Sequence, residues 1–272
     1  MLTKADVDHA EPASYPTGPI RGHPVFQTLG LDFVPQPPTL GARPCRDFPA
    51  SGNLILWRVR AEWHGMRREE GLPWLSPVER ERAKHHPNPA LAKRYQVGRA
   101  TLRCILSGML GCSPGAVDLV DGSDRQPRLR GTEVTPAIHV AYAGNWILIG
   151  ISATGLGLGT VVPVAGWDRP GGDAVAGDPN ARVAAELFPD IPTVGQWAQQ
   201  RARRESVYRL ASSHDLGTKP AVVTQYGAAS MISSPDGRRY QILDLPMPGR
   251  IAAAVALAGK VSRVDAFGWV RD

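Results

Sequence analysis

The sequence predicts an α+β fold built from two pseudo-duplicated α/β halves, and the order of its segments leads to this prediction. Two long segments, roughly residues 89–111 and 194–212, are interpreted as helices, the first from apolar residues at helical spacing. Each is followed by short apolar and β-branched runs that end in a hairpin pattern, at about 137–152 and 240–259. Because the order of helix, strands and hairpin occurs twice, we interpret the chain as an internal duplication.

The elements of the first half have recognisable boundaries. The run L-I-L-W-R-V-R at 54–60 predicts a strand. Ser76, followed by proline and then by Glu79 three residues on, is a capping box that opens a short helix. The longer helix after it is expected to end at Gly111, because glycine is favoured just past a helix C-terminus.

These elements divide the chain into three parts. Residues 1–50 hold nine of the 25 prolines and no long periodic segment, so they predict an extended N-terminal arm. An N-terminal α+β half is expected over 51–165 and a C-terminal α+β half over 166–272. A linker rich in proline, glycine and aspartate is expected at 165–180.

Composition and charge restrict the function classes. A net charge of +6 and a pI of about 9.5 favour acidic partners, such as a phosphorylated cofactor or an acidic carrier protein. The basic residues are scattered without a tract of five, so we expect no nucleic-acid partner. Three cysteines without a C-x-x-C pair, and an N-terminus without an apolar segment, predict a cytoplasmic protein with reduced thiols. We expect a monomer.

The uncharged run at 146–166 has the length of a membrane span but not its composition. Several glycines and a proline disfavour a helix there. The β-branched ends, WILIGIS and TVVPV, instead predict two strands joined by a glycine-containing turn. The G-L-G-L-G segment inside the run is not a dinucleotide-binding loop, because the spacing differs and no helix follows. We therefore predict core strands and no membrane association.

Four segments of the chain, in order, match the pattern of a known enzyme family. They are a tryptophan-containing strand, an L-S-x-x-E-x-x-R motif, an arginine-rich helix and a closing hairpin. In this sequence they read LILWRV, LSPVERER, KRYQVGRATLRCILSGMLG and YQILDLPMPGRIAAAVALAG. Over about residues 54–265 the chain thus resembles the Sfp-type 4'-phosphopantetheinyl transferases. The resemblance implies their two-half fold, and an activity that moves phosphopantetheine from coenzyme A onto a serine of a carrier protein.

The resemblance also implies a metal site whose ligands this chain lacks. In the family, two carboxylates of a G-x-D-x-E strand hold a divalent ion on the cofactor's pyrophosphate. Here that strand reads GLGTV, so Gly159 and Val161 stand at the two carboxylate positions. No aspartate or glutamate occurs from 134 to 167, so no shift of the alignment restores the pair. We therefore predict no metal site, no Mg²⁺ requirement and no efficient phosphopantetheinyl transfer.

Other positions of the family's site are replaced as well. Gln126 stands where the family has a lysine, and Tyr142 stands where it has a histidine. In the family's W-x-x-K-E helix motif, Arg201 and Arg204 replace tryptophan and lysine, and Arg209 replaces a second lysine. Glu205 alone is unchanged. It is either a catalytic carboxylate or the centre of a helical ion-pair row with arginines four residues away on each side.

The remaining candidates have two interpretations each. Tyr142 is either a new catalytic acid or hydrogen-bond donor, or a residue that fills the former cofactor pocket. His139, three residues away on the same strand, is expected on the opposite face and is a candidate for substrate binding. Arg94, Arg99 and Arg103 resemble the family's basic positions near the coenzyme A phosphates. Arg94 and Arg99 are the candidates for cofactor binding, and the alternative for all three is a solvated arginine. The predicted substrate-binding set is Gln126, His139, Arg201, Arg204 and Arg209.

Three functions remain open on these grounds. In the first, the former coenzyme A cleft serves a metal-independent enzyme, for example a cyclase, that acts on a natural-product intermediate, free or tethered to a carrier protein. In the second, the protein binds carrier proteins or coenzyme A thioesters without catalysis. In the third, it is an active transferase with unusual residues. No cofactor is predicted, although the resemblance leaves coenzyme A or a pantetheine arm as a ligand.

Overall fold

The computed structural model describes residues 31–36, 47–63, 66–133, 135–164, 194–213, 223–224, 229–233 and 239–268. In this part of the chain the helices are α1 (Arg68–Trp74), α2 (Pro77–Lys84), α3 (Pro89–Leu110) and α4 (Val194–Ser213). The first seven strands are β1 (Val34–Pro35), β2 (Asn53–Arg60), β3 (Leu119–Asp121), β4 (Pro127–Leu129), β5 (Ala137–Ala143), β6 (Trp146–Ser152) and β7 (Leu156–Val161). The last five are β8 (Val223–Thr224), β9 (Ala229–Ser233), β10 (Arg239–Leu245), β11 (Ala252–Ala258) and β12 (Arg263–Gly268). The α+β class is confirmed.

Two five-stranded sheets form the centre of the fold. The first sheet has the order β1-β12-β2-β6-β5, and the second has the order β7-β11-β10-β9-β8. Their facing sides share one apolar core, to which the first sheet contributes Leu54 and Leu148 and the second contributes Leu158 and Val255. Burying these branched side chains between two sheets is the main stabilising term of such a layer.

A helix covers the outer side of each sheet. The residues of α3 pack on β2, β5 and β6 through a cluster that includes Leu102, Ile138 and Ile149. Helix α4 packs on the second sheet through Ala198 and Ala202. The described layers are therefore α3, first sheet, second sheet and α4.

The predicted helix boundaries are confirmed by their caps. Ser76 Oγ accepts a hydrogen bond from the Glu79 backbone N–H at 3.2 Å, and the Glu79 carboxylate accepts one from the Ser76 N–H at 2.8 Å. Asn88 caps α3 with its side chain, whose Oδ1 accepts a hydrogen bond from the Ala90 backbone N–H at 2.8 Å. Gly111 ends α3 in the left-handed region, at φ 66°, where a side chain would be strained.

Both predicted hairpins are present. Strands β5 and β6 are antiparallel neighbours, and so are β10 and β11. The sequence located the second strand of the uncharged run less well. It was expected near TVVPV, but β7 begins at Leu156 and includes the glycines, because the turn lies earlier, at 153–155. None of the helices among the described residues is long and apolar enough to cross a membrane.

Each sheet contains a strand that pairs with a partner distant from it in sequence. Strand β7 follows β6 directly but joins the second sheet beside β11, whereas β12 returns to the first sheet and pairs in parallel with β2. The boundary predicted at 165/166 stays a prediction, and the predicted linker at 165–180 lies outside the described residues. Of the predicted N-terminal arm, 31–36 and 47–50 are described, and β1 pairs in parallel with β12. Cys104 is buried in α3, which raises the pKa of its thiol to about 11.

Candidate functional site

Helix α4 lies directly on strand β7, at the position where the resemblance predicts a metal site. A Cβ atom built at Gly159 would lie 2.6 Å from the Ser206 nitrogen and closer still to the Ala202 carbonyl oxygen. A Cβ at Gly157 would lie 3.1 Å from the Arg209 carbonyl carbon and closer to the backbone one turn earlier. Real Cβ atoms essentially never approach within 3.0 Å, so this packing accepts only glycine.

This packing removes the space that a carboxylate pair would need. The third position of that face, Val161, is 5% exposed and packs with Ala198 and Ala202. Among the described residues, no three histidine, cysteine, aspartate or glutamate side chains cluster as metal ligands would. The residues present between β7 and α4 therefore do not fit a bound divalent ion, since hard oxygen ligands are lacking and backbone atoms occupy the volume.

The candidates on α4 lie along its less buried side. Arg209 Nη2 pairs with Glu205 Oε1 at 3.3 Å, and the two side chains are 42% and 34% exposed. Arg201 is exposed, with its guanidinium carbon 5.4 Å from the centre of the Trp197 ring. Arg204 is half-buried. The ion pair confirms part of the predicted helical row, and pairs of this kind contribute only a few tenths of a kcal/mol.

Tyr142 lies on the α3 side of the first sheet. A Cβ at Gly98 of α3 would lie 3.0 Å from Tyr142 Oη, and the Arg94 guanidinium lies over the ring at 5.0 Å. Burial raises the pKa of Tyr142 to about 12. Tyr142 and Glu205 therefore lie on opposite sides of the sheet pair, and this geometry does not favour their joint catalytic role, which stays a prediction.

His139 lies on the other face of β5, as predicted. The regular register of β5 with β6 places it opposite Gly150, on the side that faces the second sheet. Its side chain is 3% exposed, and among the described residues neither ring nitrogen has a hydrogen-bond partner. Burial, together with the positive charges of Arg209 and Arg128, lowers the pKa of His139 to about 3. The ring is therefore neutral at physiological pH.

The edges of the two sheets meet beside this histidine. Strand β5 is the last strand of the first sheet and β7 the first strand of the second. Thr160 Oγ1 donates a hydrogen bond to the Tyr142 carbonyl oxygen at 3.1 Å and joins the two edges. We call this junction, together with α4 behind β7, the β5–β7 seam. His139 lies on β5 at the seam, and the Arg209–Glu205 pair lies on α4 behind β7.

The other candidates are held by backbone or by buried carboxylates. Gln126 Oε1 accepts a hydrogen bond from the Val140 N–H at 2.9 Å, so its amide completes the edge of β5. Arg94 Nη1 donates to the Gly144 carbonyl oxygen at 2.9 Å. Arg99 is 4% exposed and pairs with Asp121 and with Glu79. These contacts favour structural roles, although cofactor or substrate binding by these three residues is not thereby tested.

Sequence reasoning missed a buried ion network around Glu79. Arg103 Nε donates to Glu79 Oε2 at 2.9 Å, and Arg99 Nε lies 3.0 Å from Glu79 Oε1. Arg103 Nη1 also donates to the Val117 carbonyl oxygen at 2.6 Å. The arginines were visible between the apolar positions of α3, but nothing in their spacing indicated that the carboxylate of α2 would be buried against them.

Sequence reasoning also missed a cluster of hydrogen bonds between α4 and Asp244 of β10. Arg203 donates to both carboxylate oxygens of Asp244, at 2.8 and 2.6 Å, and Gln199 Nε2 donates to the same carboxylate at 2.8 Å. This bidentate pair holds α4 on β10. A pairing of residues about forty positions apart carries no local signal in the sequence.

Part of the chain is similar in sequence to a protein that has a provisional enzyme name. The chain matches no protein-family profile. Over 82 residues it is 33% identical to a protein of Synechocystis sp. that is provisionally named a 4'-phosphopantetheinyl transferase. The matched segment is 30% of this chain and 33% of that protein, so the chain spans about a third of the length of the relative it matches. The similarity agrees with the resemblance in the sequence and is limited to that segment.

Proposed function

We propose that this protein is a metal-independent relative of the 4'-phosphopantetheinyl transferases that no longer transfers phosphopantetheine and that acts as an enzyme on a different substrate. The observation that carries the proposal is the packing of α4 on β7. Gly159 and Val161 stand where the family holds its metal, and the helix backbone lies against them. Reverting the sequence at these positions would not restore a site, because no volume is left for the carboxylates.

Loss of the metal removes most of the chemistry of phosphoryl transfer. A divalent ion both orients the pyrophosphate and neutralises the charge that develops on the transferring group. Arg204 and Arg209 have guanidinium groups that suit phosphate oxygens, but they cannot replace a metal that binds several oxygens at once. The same arginines can hold another anionic substrate.

The β5–β7 seam supplies groups for acid–base chemistry without a metal. Glu205 is half-exposed and ionisable, and it can accept a proton from a bound substrate. Arg209, 3.3 Å from it, can stabilise negative charge that develops on that substrate. A cyclisation of a natural-product intermediate, free or attached to a pantetheine arm, needs groups of this kind. In this proposal Tyr142 is a packing residue of the first sheet.

A second candidate function is binding without catalysis. The environment of Tyr142, one of the two predicted catalytic residues, favours this function. Tyr142 packs against Gly98, and its pKa is raised to about 12. The phenol is therefore a poor proton donor at neutral pH. A protein that docks carrier proteins or coenzyme A thioesters needs no such donor. The two candidates differ in what Glu205 does.

The loss of transfer is tested by mass spectrometry of a carrier protein. The protein is incubated with coenzyme A, Mg²⁺ and an apo-carrier protein, and a transferase of known activity loads the same carrier in a parallel reaction. We expect no mass shift with this protein and complete loading in the parallel reaction. Efficient loading by this protein would contradict the proposal and would establish the transferase alternative.

A strain that carries the Glu205→Gln substitution distinguishes the enzyme from the non-catalytic binding protein. The metabolites of a deletion strain and of a Glu205→Gln strain are compared with those of the parent. An enzyme predicts that both strains accumulate the same unconverted intermediate, because the carboxylate is the base. A binding protein predicts that only the deletion changes the profile, since the Glu205 side chain is exposed enough for the amide to replace it without unfolding the helix.

A further inference from the structure

The core-facing side of β2 changes from leucine to arginine towards the end of the strand. Leu54 and Leu56 are fully buried between the two sheets. Because alternate residues of a strand share a face, Arg58 and Arg60 follow them on the same side. On the neighbouring strand β6, Trp146 lies opposite Arg60 and shares its face. An arginine on the core-facing side of a sheet is costly unless its charge is balanced, so this end of the sheet pair requires a physical explanation.

Both guanidinium groups lie beside the indole ring of Trp146. The guanidinium carbon of Arg58 is 5.7 Å from the centre of the ring, and that of Arg60 is 5.5 Å from it. The indole is 8% exposed, so the two positive charges meet on one buried aromatic side chain. Each cation–π contact is worth about 0.5–2 kcal/mol, but neither contact neutralises a charge, and the two cations repel each other.

Arg58 is held in place by both sheets. Its guanidinium carbon lies 4.3 Å from the centre of the Phe33 ring, and its Nη1 donates a hydrogen bond to the carbonyl oxygen of Pro246, directly after β10. The residue is 8% exposed, and burial lowers the pKa of its guanidinium. The charge of Arg58 is therefore fixed in position between the first sheet and the end of β10.

Arg60 has donors that a ligand can reach. Among the described residues, none forms a hydrogen bond or an ion pair with its guanidinium. Nε is buried, whereas the residue as a whole is only partly buried, so the terminal nitrogens are the part of the group that solvent reaches. Glu62, two residues further along the chain, instead accepts a hydrogen bond from Asn145 Nδ2 at 2.9 Å. The described residues thus leave the charge of Arg60 without a carboxylate.

From this arrangement we propose that Arg58, Arg60 and Trp146 form a binding site for an oxyanion group of a ligand, either a carboxylate or a phosphate. The two terminal nitrogens of Arg60 donate to two oxygens of the anion, a geometry for which a guanidinium is suited. Arg58 supplies a second positive charge, and the indole between them keeps both side chains in position. The site uses no residue of the β5–β7 seam, so it is independent of the proposed function.

The site is tested by ¹⁹F NMR of the full-length protein labelled with 5-fluorotryptophan. The chain has seven tryptophans, and the Trp146→Phe variant identifies the Trp146 signal by its loss. Sodium phosphate and sodium acetate are titrated separately at constant ionic strength. We expect a saturable shift of the Trp146 signal with at least one anion. A response to phosphate alone, to acetate alone or to both identifies a phosphate, a carboxylate or a general oxyanion site.

Variants of Arg60 show whether the proposed donor binds the anion. Arg60→Gln should weaken binding roughly tenfold, because a hydrogen bond to a charged donor is stronger than one to a neutral donor. Arg60→Lys keeps the charge but loses the paired donors, so it should weaken binding less. Arg130→Gln, which changes an exposed arginine directly after β4, is the control and should leave the affinity unchanged.

Two results would overturn the proposal. One is the absence of a saturable shift of the Trp146 signal with both anions, and the other is an unchanged affinity in Arg60→Gln. The assignment does not depend on whether Trp146→Phe folds, because the Arg60 variants retain the labelled ring and change the group beside it, which shifts the same signal.

Discussion

The ion network around Glu79 and the β5–β7 seam differ in how their polar groups are satisfied. In the ion network, Glu79 is 3% exposed and pairs with Arg99 and Arg103. In the seam, two glycines allow the helix backbone to lie against β7, and His139 is buried with no hydrogen-bond partner in the described part of the chain. The first region has the residues of the motif to which the resemblance points, whereas the second region has other residues at all of those positions except Glu205.

The difference shows that a retained motif residue need not be a catalytic one. Glu79 belongs to the L-S-x-x-E-x-x-R motif, and its contacts explain its presence by folding alone: it completes a helix cap and neutralises two buried arginines. The seam has the opposite pattern. The motif positions that the resemblance predicts there carry other residues, with the exception of Glu205, which pairs with Arg209 on a partly exposed side of α4.

The largest expected effect is that of removing the carboxylate from the ion network. Glu79→Ala leaves Arg99 and Arg103 buried without this partner, so we expect a loss of about 3–5 kcal/mol in the free energy of unfolding. Urea denaturation measures it. Glu81→Ala, on the same helix but 57% exposed, is the matched control and should change stability by about 0.5 kcal/mol or less. A loss below about 1 kcal/mol for Glu79→Ala would show that the network is not structural.

A smaller effect is expected from a single methyl group in the seam. Gly159→Ala forces α4 away from β7, and overpacking of this kind costs about 1–3 kcal/mol. The control is Gly108→Ala on α3, where an added Cβ meets nothing within 4 Å and should stabilise the helix by roughly 0.5–1 kcal/mol. If both variants have the same stability, the close packing of β7 on α4 is wrong and a carboxylate could fit there.

The third expected effect, the smallest when it is measured over one pH unit, is a pH dependence of stability. The pKa of His139 is lowered to about 3 in the folded protein, whereas an unfolded histidine titrates near 6.5. Between these values the unfolded state binds more protons, so stability falls as the pH is lowered from 6.5, by at most about 1.4 kcal/mol per pH unit. Thermal unfolding at several pH values should show a steeper dependence for the wild type than for His139→Phe. His85→Gln, which changes an exposed histidine, is the control; equal slopes for the wild type and His139→Phe would contradict the assignment.

Local signals predicted most of the described elements. Helices α2 and α3 were predicted with their caps because capping residues act within one turn of the chain, as Ser76 and Gly111 do. Helix α1 was missed, and its sequence contains Gly71 and Pro73, both of which disfavour helix. The two hairpins were predicted from local sequence patterns, whereas the placement of β7 and β12 in their sheets depends on contacts between distant segments.

The sequence alone determined what cannot be present between 134 and 167: without an aspartate or glutamate, that strand has no carboxylate for a metal. It also determined the α+β class and the opposite faces of His139 and Tyr142, because strand alternation is a local property. Only the tertiary structure decided that α4 fills the space beside Gly157 and Gly159, that Glu79 is buried in an ion network, and that His139 is buried on the side of β5 that faces the second sheet. These outcomes depend on which segments, far apart in sequence, pack against each other. No local pattern of residues specifies such packing.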